Sequence, residues 1–77
     1  MSDNVKVVLS SDMGYEKLTA EIFIDEKFVA LINQDKGFDN LRLEFPDSYA
    51  DESSVLRTVS LDLFNTAIEM AVSKLKE

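Results

Sequence analysis

The sequence predicts an α+β domain: an antiparallel meander of three to five strands with one C-terminal helix packed on one face. Three observations carry that prediction. Apolar residues alternate through 18–24 and recur through 27–33, on either side of a polar Asp25-Glu26 break, as in a β-hairpin. Leu41-Arg42-Leu43-Glu44-Phe45 alternates again and stops at Pro46, which removes a backbone donor and fixes φ. Residues 61–76 then switch period, with Leu61, Phe64, Ile68, Ala71 and Leu75 forming one helical stripe.

The elements follow in chain order. Val5-Lys6-Val7-Val8-Leu9 is short and β-branched, a first strand over 5–9. A loop with Asp12 and Gly14 as turn residues leads to the second strand, 18–24. Asp25-Glu26 as a two-residue turn would need positive φ at both positions, where Asp-Gly would be easier. It would place Ile22 across from Val29 on one face and pair Phe23 with Phe28 on the other, with Ile32 nearby. A longer loop, Asp25 to Lys27, would shift the register by one and exchange the faces. The third strand covers 27–33. A polar turn centred on Gly37, the expected left-handed residue, leads to the fourth strand, 41–45, with one buried and one wet face. Residues 47–54 lack periodicity and form the longest loop, with Tyr49 tacking it down. Residues 55–59 are the optional fifth strand. Ser60 caps the helix, and Asp62, Lys74 and Lys76 suit the two ends of its dipole.

Seventy-seven residues make a single domain, 1–77, near the lower size at which a chain folds without staples. The chain lacks cysteine, which excludes disulfides and thiolate metal sites and suits a reducing compartment. It lacks histidine, the commonest general base and zinc ligand. Its two glycines stand apart, so there is no phosphate-cradling loop. The acidic start Met1-Ser2-Asp3-Asn4 does not read as a signal, and no apolar run approaches the ~20 residues of a membrane-spanning helix. The expectation is a cytoplasmic protein that binds neither membrane nor nucleic acid and uses no metal, cofactor or catalytic residue. The charge of −7 is spread along the chain, and the eight bases form no cluster that would hold nucleic acid.

Carboxylates remain. Asp47, Asp51 and Glu52 share a loop with Ser48, Ser53 and Ser54, but the spacing matches no calcium loop. Asp35 and Asp39 around Gly37 read as turn chemistry. The stronger signal is apolar: one helix covers one side of a small sheet, and Phe23, Phe28 and Ile32 would mark the other as an interface. Arg42, outward beside Glu44, would sit at its rim, and Tyr15 is a weaker candidate.

Gly14-Tyr15-Glu16-Lys17-Leu18, Glu21-Ile22-Phe23-Ile24-Asp25 and Lys27-Phe28-Val29-Ala30-Leu31-Ile32 together resemble small bacterial proteins of unassigned function. The resemblance covers under half of the chain. It implies a bacterial cytoplasmic origin and no activity.

The function these observations favour is a non-enzymatic protein–protein interaction module, self-associating as a homodimer through an apolar sheet face. One alternative is an acidic inhibitor or immunity-type protein covering a basic surface of a partner. The other is a small enzyme or cation binder using the 47–52 loop.

Overall fold

The structure is a computed structural model that describes residues 5–11, 14 and 16–76. Four strands, β1 (Val5–Ser10), β2 (Thr19–Ile24), β3 (Lys27–Asn33) and β4 (Arg42–Glu44), form an antiparallel sheet in sequence order, followed by one helix, α1 (Leu61–Lys76). This is the α+β meander that the alternation predicts. The described residues span 31 × 29 × 17 Å. The short dimension holds a sheet and one layer of helix, whose own diameter with side chains is about 10–12 Å.

The hairpin between β2 and β3 turns in two residues. Asp25 has φ 54° and Glu26 φ 67°, the pair of positive values that a type I′ turn demands. Its strand twist matches the right-handed twist of the flanking strands, which is why the sheet accepts the strain at Glu26. Phe23 pairs with Phe28 as expected, but the ladder then slips: Ile22 opposes Ala30, Glu21 opposes Leu31 and Ala20 opposes Ile32. Val29 is the extra residue of a bulge. This corrects two expectations. Ile22 does not face Val29, and Ile32 does not share the face of the phenylalanines. The bulge reverses the alternation beyond Phe28, so Ile32 turns toward α1 and is 2% exposed.

The core lies between α1 and one face of the sheet. Val7, Ala20, Ile22, Ile24, Val29, Ala30 and Ile32 meet Ala67 and Ala71 there. The two buried alanines let the helix lie close to the strands. Ser60 starts α1, its Oγ accepting from Leu63 N–H at 3.3 Å, and Phe64 N–H closes the first turn on the Ser60 carbonyl. The helix packs over β1 and β2. Leu63, Phe64, Ile68, Val72 and Leu75 flank the two alanines, whereas Leu61 is 72% exposed. Leu61 therefore stands outside the buried stripe although its spacing fits it, while Leu63 and Phe64 of the same turn pack on the core.

β4 is shorter than the expected 41–45 strand, and neither side of it is buried. With α1 over the other half of the sheet, Leu43 and Phe45 keep much of their surface in solvent. Residues 55–59 make no strand. Val55 forms a single parallel bridge to Phe28, and Leu56 N–H donates to the Phe28 carbonyl at 3.0 Å. Between Pro46 and this bridge the chain forms a strap with one 3-10 turn at Glu52–Ser54. Tyr49, expected to anchor that segment, is 93% exposed. Lys76 Nζ lies 5.8 Å from the centroid of the Phe38 ring, joining the end of α1 to the β3–β4 connection.

Candidate functional site: the open face of the sheet

Side chains alternate across β1 and β2, so Lys6, Val8, Glu21 and Phe23 point away from α1. Pairing extends this outer face to Phe28 and Leu31 on β3, and to Arg42 and Glu44 on β4, which oppose Asn33 and Leu31. The bulge falls just beyond Phe28, so it moves Ile32 to the core and leaves the aromatic pair outside. The two rings meet edge to face, with centroids 5.7 Å apart and planes at 65°. Such a pair is worth roughly 0.5–1.5 kcal/mol beyond area burial.

The outer face has two halves. Near the hairpin it is apolar: Phe23 and Phe28 are half-buried, Leu31 is buried, and Val55 is bridged alongside Phe28. Leu31 and Val55 are buried but do not belong to the main core. At the other end it is polar and internally satisfied. Thr19 Oγ1 donates to the Ser10 carbonyl at 3.3 Å, and Asn33 Nδ2 donates to the Glu44 carboxylate. A shallow hollow of about 390 Å³, lined by Lys6, Val8, Glu21, Phe23 and Glu26, opens beside the rings. Among the described residues α1 packs against β1 and β2, while the 3-10 turn at Glu52–Ser54 contacts β3.

Of the residues singled out by sequence, Phe23, Phe28 and Arg42 share the outer face. Ile32 does not, and Tyr15 lies outside the described residues. A second apolar surface escaped sequence reading. Phe45, Pro46, Leu56, Val59 and Phe64 surround a cleft of about 290 Å³ with Val29 and Arg57, on the α1 side of the sheet. Its signal was present in Phe45 next to Pro46, but alternation alone assigned Phe45 to a buried face. Phe45 is 63% exposed.

Arg57 builds the wall of that cleft. Its Nε and Nη2 grip both Glu52 carboxylate oxygens at 3.1 and 2.8 Å, while Nη1 and Nη2 donate to the carbonyls of Pro46 and Asp47. The hydrogen bond from Arg57 holds the Glu52 carboxyl below its ordinary range, and Glu52 raises Arg57 in turn. Asp51 is also lowered, first by the backbone N–H of Ser53 and then by its hydroxyl. Asp47 accepts from Tyr49 N–H at 2.9 Å. The carboxylates of the 47–52 loop thus hold the strap's own backbone and Arg57. Asp35 likewise accepts from the N–H groups of Glu16 and Lys17, at 3.3 and 3.1 Å, tying two loops together. Among the described residues, no three acidic groups come together as metal ligands would.

Against protein-family models, curated proteins and solved structures alike, the chain has no match. No described helix is long and apolar enough to cross a membrane.

Proposed function

We propose that this chain is a non-enzymatic protein–protein interaction module of the cytoplasm that self-associates through the open face of its sheet. One observation carries the reading: the Phe23–Phe28 pair stands on the side of the sheet opposite α1. Charge supports a second copy as the occupant. The chain as a whole carries −7, so most of its surface repels its own copies. The outer face carries both signs, with Lys6 and Arg42 against Glu21, Glu26 and Glu44. Opposite charges on one face allow a copy turned through half a rotation to lay cations against acids, as an isologous contact requires.

Sedimentation equilibrium at micromolar concentration tests this. The expected result is a dimer or larger species that Phe28→Asp shifts to lower mass, because a carboxylate enters the apolar half of the contact. Circular dichroism would confirm that the variant stays folded. A wild-type protein that stays monomeric, or a mass unchanged by Phe28→Asp, would overturn the reading. Salt separates it from docking of an acidic inhibitor onto a basic partner. Contact through phenylalanines weakens little as salt rises, whereas an interaction dominated by the −7 charge weakens steeply.

A further inference from the structure

A sheet of four strands in sequence order has two edges, and they differ. β4 is three residues long and its edge is followed by the 46–57 strap. β1 is six residues long, and no described residue pairs with its far side. Every other backbone N–H and C=O along Val5–Ser10 therefore points out of the sheet. Edges of this kind are usually blunted by charge, often lysine, by proline, a bulge, or a covering loop, and Lys6 is the one charge on β1. The β1 sequence, Val-Lys-Val-Val-Leu-Ser, has no proline or glycine, and its pairing with β2 runs without a slip.

We infer that the free edge of β1 is a second docking surface, and that its occupant is β1 of another copy, paired antiparallel about a two-fold axis through Val7. This contact is independent of the open-face contact proposed above. Three features support it.

The first is register. In an edge-to-edge pair the two-fold runs perpendicular to the sheet, so each copy keeps α1 on the same side. Paired residues must then share a face, which restricts the choice to registers joining odd with odd and even with even. Centring on Val7 sets Val7 against Val7, Val5 against Leu9, and Lys6 against Val8. Two lysines never face each other, and three of the five pairs are wholly aliphatic on the core side.

The second is charge. β1 contains no acid in a chain that has 15, so it is the stretch of sheet where copies repel least. The third is the fringe of apolar surface beside the edge. Leu9 points to the α1 side and is 40% exposed. Phe64 lines the cleft beside β3 and β4, so helical spacing turns Leu63 and Met70 the other way, toward β1. Met70 is exposed there. Pairing of the two edges would bring Leu9 and Met70 of both copies toward the same axis.

Hydrogen exchange on the wild-type protein at low micromolar and millimolar concentration gives the test. The outward amides of β1 should exchange freely when dilute and slow by about tenfold or more when concentrated, as protection follows the paired fraction. Leu9→Lys should abolish that concentration dependence and lower the sedimenting mass, while Leu61→Lys, far from the edge, should do neither. Phe28→Asp should leave the β1 protection in place, which separates failure of this contact from failure of the open-face contact. Outward amides that exchange equally fast at both concentrations, or protection that survives Leu9→Lys, would overturn the inference.

Discussion

Glu26 holds a backbone conformation that its side chain disfavours, and it does so because the hairpin has no other way to turn in two residues. At φ 67° its Cβ crowds the following carbonyl, whereas Asp25 at φ 54° is of a type that tolerates this region. Glu26→Gly should therefore stabilise the domain by about 1 kcal/mol in urea unfolding, the strain relieved outweighing the extra freedom of the unfolded chain. Gly37 is the opposite case. Its φ of 97° and ψ of 156° fall in a region open essentially to glycine alone, although a Cβ there would meet no atom within 4 Å. Gly37→Ala should cost roughly 1–3 kcal/mol through backbone strain alone. Sequence reading found both positions, because positive φ is a local demand that short-range turn chemistry reveals. It could not find the slip at Val29. That residue is apolar between apolar neighbours, and only contact with α1 decides that both Val29 and Ala30 face the core.

Among the elements, the 46–57 strap shows how a segment without periodicity is held. Arg57 grips Glu52 and two carbonyls, and Asp51 caps the turn between them. Folding lowers the pKa of Glu52, so this contribution is complete above the ordinary glutamate value of 4.5 and fades as pH falls through the lowered one. Acid titration followed by the exchange of the Leu56 amide should therefore show the strap loosening below that value. Arg57→Gln should remove the part of the acid dependence that belongs to Glu52 and leave the part that belongs to Asp51. An unchanged acid profile would mean that the bridge to Phe28 alone holds the segment. α1 illustrates the reverse: its period, cap and terminal charges make it legible from sequence alone. Only Leu61 misled, an apolar residue in phase with the stripe that nonetheless remains exposed.

For the whole molecule, the decisive fact is where one helix lies on four strands. Placed over β1 and β2, it buries Val7 and Ile22 but leaves Phe45 at the lip of an open cleft. The opposite face and the β1 edge are the two surfaces proposed above for contacts between copies. Where the two-fold axes of these two proposed contacts meet at right angles, they would close a tetramer of paired sheets. Each of Phe28→Asp and Leu9→Lys should then halve the mass seen by sedimentation, and the double variant should be monomeric with an unaltered far-ultraviolet spectrum. By itself the sequence determined the class of fold and the order of elements, and it narrowed the hairpin to two turns, of which the structure holds the two-residue one that pairs Phe23 with Phe28. These follow from local turn chemistry and from periods of two and about 3.6, which neighbouring residues carry. Tertiary structure alone decided the bulge at Val29, the inward turn of Ile32, the exposure of Leu61 and Phe45, and the bridge at Val55. Each of these depends on which surfaces α1 can reach, and its reach is set by packing between residues distant in the chain.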